Sequence, residues 1–254
     1  MRETALLTIC DWLDSVAPFD IQEEFDNSGL IINQAQDDLA AVLLALDVTP
    51  KVIDEAMHLG AKLIIAHHPL MFQPVQTIDM DTYEGFLITR LIREGISLVC
   101  AHTNVDKSLY SGSRAVASML LLKDIRQAGD YLVLGELPQP MRASNLCELI
   151  GCTLGGAAEK YTCDDHLIHT LAVAGGAYSE GYDLAMQAGA QALLTGEVRH
   201  HHALAAAWKG FTLIAGGHYY TEAPMLHSLA NGLQNHMDAL EYNISVHVSG
   251  DRPY

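Results

Sequence analysis

Residues 41–69, AVLLALDVTPKVIDEAMHLGAKLIIAHHP, decide the fold. The apolar run 41–46 ends at Asp47 and reads as a buried parallel strand. Pro50 suits a first helical turn, and the pattern over 50–59 is a helix that Gly60 stops. Residues 63–66 (Leu-Ile-Ile-Ala) form the next strand, which runs into His67, His68 and Pro69. Working outward, 83–94 read as a helix and 96–101 (Ile-Ser-Leu-Val-Cys-Ala) as a strand. Toward the start, Leu6, Ile9, Leu13 and Val16 share one face of an amphipathic helix over 4–17. Alternation of strand and helix implies an α/β fold with mostly parallel sheets.

The second half repeats the first. Shifted by 129 positions, residues 42–68 lie on 171–197 without a gap, with Asp54 on Asp183, Gly60 on Gly189 and Ile64-Ile65 on Leu193-Leu194. Helix, stop glycine and strand keep register, which points to an internal duplication and two similar α/β domains. The copies differ chemically, because Gly196-Glu197 stands where the first has His67-His68. Between them, 124–168 is punctuated by Gly135, Pro138, Pro140, Gly151, Gly155 and Gly156, which sets a boundary near 125. The tail resumes with a strand at 212–215, a helix over 221–235 and a last strand near 243–248.

The chain has 254 residues, with 31 Asp and Glu against 14 Lys and Arg, a formal charge of −17. Such acidity argues against duplex nucleic acid, whose phosphates need clustered cations. No apolar run reaches the ~18 residues of a membrane span. The start, Met1-Arg2-Glu3 followed by Asp11 and Asp14, lacks the layout of a secretory signal. Five cysteines (Cys10, Cys100, Cys147, Cys152, Cys163) are odd in number and form no CxxC pair, so a reducing cytoplasm is the expected location. No GxSxG elbow, Walker A motif or dinucleotide glycine fingerprint occurs, and Cys100 sits in an apolar strand as inert core.

Thirteen histidines nearly equal Lys and Arg together, and three stand where strands end. Leu-Ile-Ile-Ala runs into His67-His68, Leu-Val-Cys-Ala into His102 with Asp106 four residues on, and Leu-Ile-Ala-Gly-Gly into His218 with Glu222 four residues on. Open α/β sheets place their sites beyond the carboxyl ends of strands, so these ends are expected to converge on one pocket. Imidazole and carboxylate suit borderline divalent metals: zinc, manganese, iron, cobalt or nickel. Adjacent side chains leave an extended backbone in opposite directions. His67 and His68 are therefore better placed to serve two ions than one, and a two-metal centre activates water and clamps a displaced oxygen. His102 reads equally as ligand or as support for a ligand. Glu222 suits either joint ligation with His218 or a helix-surface pair, and the His200-His201-His202 run reads as an exposed helix start. The expected division is residues 1–125 plus 217–254 as the domain with the metal site, and 126–216 as the second.

These segments resemble a known family, the NGG-interacting-factor-three-like proteins, also catalogued as GTP cyclohydrolase I type 2 or YbgI-like. Phe25-Asp26-Asn27-Ser28-Gly29-Leu30 resembles its W-D-N-x-G-L segment, with Phe25 in place of the usual Trp. Residues 46–49, 65–70, 101–106, 195–197 and 217–222 match further motifs in order. The resemblance implies two divalent ions per chain held by His67, His68, Asp106, His218 and Glu222, with Glu222 bridging, and a toroidal homohexamer. Residue chemistry adds His102 and Glu197 as candidate proton-moving groups. The expected activity is metal-dependent hydrolysis of a small anionic or heterocyclic molecule such as a nucleotide. The alternative is a metal chaperone or regulatory scaffold without turnover.

Overall fold

The computed structural model describes residues 4–35, 39–162 and 164–252. The readings placed on Met1-Arg2-Glu3 and on Cys163 lie outside them. The elements in order are α1 (Ala5–Val16), β1 (Gly29–Ile32), β2 (Ala41–Ala45), α2 (Pro50–Leu59), β3 (Leu63–Ala66), α3 (Tyr83–Glu94), β4 (Ser97–Cys100), α4 (Thr103–Asp106), α5 (Gly112–Met119), β5 (Lys123–Gln127) and β6 (Val133–Arg142). They continue with α6 (Ala143–Leu154), β7 (Glu159–Tyr161), β8 (Leu167–Val173), α7 (Tyr182–Gln187), β9 (Ala192–Thr195), α8 (His200–Trp208), β10 (Thr212–Ala215), α9 (His218–Glu222), α10 (Pro224–Ala239) and β11 (Ser245–Val248).

Local chemistry sets the helix ends. Thr4, Thr49 and Thr82 cap α1, α2 and α3, each side chain accepting a backbone N–H of the first turn, a contribution of about 1 kcal/mol per cap. Gly60 and Gly95 close α2 and α3 in the left-handed region. The helix expected over 221–235 is two helices, α9 and α10, with Pro224 opening the second.

The chain forms two compact units: Met1–Ser108 with Leu226–Tyr254, and Leu109–Met225. The expected division fell at 125 and 217; residues 109–125 and 217–225 instead belong to the second unit. There α5 packs on β6 and β8 and against α9, so it joins that core and not the one it follows in sequence.

The first unit carries a five-stranded sheet in the order β1-β4-β3-β2-β11, parallel except for β1. Its core packs Leu43, Ile64 and Leu98 of the sheet with Ile53, Leu87 and Leu91 of α2 and α3, all fully buried. Each such side chain contributes roughly 1.5–3 kcal/mol. The second unit has a six-stranded sheet, β5-β6-β8-β9-β10-β7, whose parallel centre β8-β9-β10 is flanked by antiparallel β6 and β7. Register repeats residue for residue: Val42 pairs with Leu63 in one unit and Leu171 with Ala192 in the other, positions related by the same shift of 129. Among the described residues, no helix is long and apolar enough to cross a membrane.

Candidate metal centre

In the first unit three histidines meet where β3 and β4 end. The chain bends at His67 and His68, so their rings do not point to opposite faces as an extended strand would require; their centroids lie 5.0 Å apart. His102, which stands before the first turn of α4, has its ring 5.0 Å from His67 and 5.7 Å from His68. Each of the three offers one ring nitrogen within 4.8 Å of the others. Asp106 ends α4 and places Oδ1 3.8 Å from His67 Nε2.

Every ring is oriented through Nδ1. His67 Nδ1 lies 2.9 Å from the Ala101 carbonyl oxygen, His68 Nδ1 2.8 Å from Asp47 Oδ1, and His102 Nδ1 2.9 Å from Asp26 Oδ1. A carbonyl or carboxylate oxygen only accepts, so each ring proton sits on Nδ1 and a neutral ring turns its lone pair outward at Nε2. A ring fixed in this way by an oxygen behind it is the usual arrangement for a metal ligand.

Asp26 also anchors α4. Its carboxylate accepts from His102, from the Thr103 backbone N–H at 3.0 Å and from the Thr103 hydroxyl. Burial opposes its charge, yet the hydrogen bonds from His102 and Thr103 prevail and hold the carboxyl well below the usual carboxylate range. Cys100, buried beneath the same loop, donates to the His67 carbonyl oxygen at 3.2 Å. Burial pushes its thiol up, as inert core requires.

The second unit repeats the arrangement with different groups. His218 opens α9; its Nδ1 is 2.7 Å from Glu197 Oε1 and its Nε2 is 3.1 Å from Glu222 Oε2. Glu222 is buried. Gly176, with φ +63°, makes room for it: a Cβ there would come within 2.2 Å of Glu222 Oε1. With the Nδ1 proton directed at Glu197, a neutral His218 would face Glu222 acceptor to acceptor. A proton on Nε2 or a divalent cation beside both relieves that. Within each unit, imidazole that keeps Nε2 for a ligand stands with a carboxylate, Asp106 in the first and Glu222 in the second, a chemistry that fits a borderline divalent ion.

Of the sequence candidates, the first unit brings together His67, His68, His102 and Asp106, and the second His218, Glu222 and Glu197. The His200-His201-His202 run opens α8 and belongs to neither group; His202 Nδ1 pairs with Ser179 Oγ at 2.9 Å. Sequence reasoning missed Asp47 and Asp26 as ring-orienting groups. Asp47 closes the first strand and Asp26 lies in a turn, and a partnership across 76 positions leaves no local signal.

Fold and site together define a two-unit α/β protein with a histidine and carboxylate donor set suited to metal. The family model for Duf34/NIF3 (NGG1p interacting factor 3) matches residues 4–253, and the chain belongs to that family. A Clostridium acetobutylicum protein named GTP cyclohydrolase 1 type 2 homolog is 29% identical over 252 residues, covering 95% of this chain and 94% of that protein. A Helicobacter pylori protein named GTP cyclohydrolase 1 type 2 is 30% identical over 228 residues, covering 87% and 90%. Among solved structures, a Staphylococcus aureus hypothetical protein matches with TM-score 0.92 and 27% identity over 100% of this chain and 99% of that one. A Bacillus cereus protein related to NIF3 matches with TM-score 0.90 and 22% identity over 97% of each, a likeness of fold.

Proposed function

We propose that this protein is a dinuclear-metal hydrolase acting on a small nucleotide-like molecule. The proposed ligands are His67, His68 and Asp106 in the first unit and His218 and Glu222 in the second. The supporting observation is the shared orientation of the four rings, each with an oxygen acceptor at Nδ1, which leaves Nε2 as the nitrogen to ligate. Divalent ions bound there supply Lewis acidity and water activation. The chain's own work is positional: Asp47 and Glu197 hold His68 and His218 in the ligating tautomer, and Asp26 holds His102. Glu197, engaged with His218, acts as a positioning residue. His102 is the group suited to moving a proton at Nε2. The names carried by the Clostridium and Helicobacter relatives support a purine nucleotide as the first substrate to try. The same reading carries a cytoplasmic location and a toroidal hexamer, which sedimentation tests.

The decisive experiment combines metal analysis with turnover of GTP and a nucleotide panel. About two divalent ions per chain and a turnover abolished in His68→Ala are expected. Turnover that persists in His68→Ala refutes the hydrolase reading. Two bound ions with no turnover select the metal-carrier alternative, and fewer than one ion per chain with no uptake on addition removes both.

A further inference from the structure

One cleft in the first unit belongs to none of the metal-competent groups. It encloses about 620 Å³ between residues 24–27 and 71–75, a volume typical of small-molecule sites. Its most unusual lining is a pair of large aromatic side chains left open: Phe25 is 56% and Phe72 43% exposed, with ring centroids 5.9 Å apart and planes tilted by 35°. A single exposed aromatic needs no explanation, but two that face one cavity form an apolar surface kept out of the core.

The walls are tied together before any ligand arrives, because Asn27 Nδ2 donates to the Met71 carbonyl oxygen at 2.7 Å. The cleft also adjoins the histidines. Asp26 lines it and holds His102 at the same time. Phe72 meets the His102 ring edge-on at 6.3 Å. The Asp26 carboxylate is buried and taken up by His102 and Thr103, so Glu24, exposed at the rim, is the carboxylate a ligand can meet, and among the described lining residues none is Lys or Arg.

We infer that this cleft is a ring-binding subsite: Phe25 and Phe72 take a planar heteroaromatic ring by stacking, oriented so that an N–H donor faces Glu24. Base–aromatic stacking tolerates many rings because each has a π-face, and offset geometry suits the tilted pair. The acidic, cation-poor lining disfavours a phosphate in the cleft, so a nucleotide-like ligand seats its ring here and its anionic part elsewhere. A ring on Phe72 lies one aromatic contact away from His102. The inference rests on the nucleotide-like substrate proposed above and names which part of that molecule this chain grips.

The test is calorimetric titration of the metal-loaded full-length protein with guanosine, an uncharged ring probe, and with ribose 5-phosphate. Guanosine binding is expected to weaken about tenfold in Phe25→Ala and in Phe72→Ala. Phe72→Leu, which keeps the bulk and protects the fold, is expected to weaken it as much, and Phe72→Tyr to retain it. Ribose 5-phosphate is expected to respond to none of these changes. Wild-type protein that ignores guanosine at millimolar concentration, or Phe72→Leu that binds it as wild type does, overturns the inference. His68→Ala separates the two readings: it abolishes turnover if the hydrolase proposal holds, and it leaves guanosine on the phenylalanines if the subsite is real.

Discussion

The two parallel centres, β2-β3-β4 and β8-β9-β10, share pairing and register but end in different chemistry. Ala66 pairs with Cys100 in the first and Thr195 with Ala215 in the second, so two residues beyond each partner stand His102 and Gly217. At the β3 and β9 ends the pairs are His67-His68 and Gly196-Glu197. One backbone thus presents three imidazoles with one carboxylate in the first unit, and one imidazole with two carboxylates in the second. The exchange is not free. A Cβ on Gly196 would lie 2.6 Å from the Gly176 carbonyl oxygen and 2.8 Å from His218 Cα. The second unit lets α9 approach where the first has a side chain, and that approach sets Glu222 beside Gly176. A duplicated scaffold therefore fixes where groups emerge, while local packing decides which group each copy can carry.

Transplanting the first copy's residue into the second breaks this comparison most severely. Gly196→His forces a side chain into backbone, an overpacking cost of about 3 kcal/mol or more, and a fall in melting temperature of order 10 °C for a chain of this size. Thermal denaturation of the metal-free protein reads it; an unchanged melt would mean that α9 is not held close. Next come the ring-orienting carboxylates. Asp47→Asn in the first unit and Glu197→Gln in the second are each expected to lower divalent-metal affinity roughly 10–100-fold, by competition against a chelator. A loss in one variant alone would leave metal binding to a single unit.

The smallest effect concerns Asp26, whose counterpart in register, three residues before Glu159 as Asp26 is before Gly29, is Gly156. The Asp26 carboxyl is held below its usual 3.8 in the folded chain. Its contribution is therefore complete well above that value and declines as pH falls from it toward the lower folded-state value, because the unfolded chain takes up the proton first. Urea unfolding of metal-free protein between pH 5 and 3 is expected to show a shallower loss of stability in Asp26→Asn than in wild type. Parallel slopes would show that the anchor of α4 is not an ionised carboxylate.

Much of the fold was legible because the elements around the first site are written locally. Apolar runs mark β2, β3 and β4, Pro50 and the stop glycine Gly60 bound α2, and the shift of 129 places β8, α7 and β9. The stretch 124–168 was less legible. It reads as turns but holds β5, β6, α6 and β7, because Pro138 and Pro140 fall within β6 where pairing with β8 lapses between Glu136 and Met141; a proline there removes no ladder bond. The short edge strands β5 and β7 are largely charged or exposed, which protects an edge and hides the strand from a hydropathy reading. Histidines at strand ends were visible as ligand-type residues, but the acceptors behind their rings depend on chain segments brought together only by folding.

The last strand of the first unit has a consequence for the order of assembly. Val246 of β11 pairs with Val42 of β2, so the sheet begun near the start of the chain is finished by residues beyond 244. A ribosome emits the contiguous second unit whole while the first still lacks its edge strand and most of α10. The half that starts first therefore closes last, and its β2 edge stays exposed through most of synthesis, when an unpaired strand is most open to wrong partners.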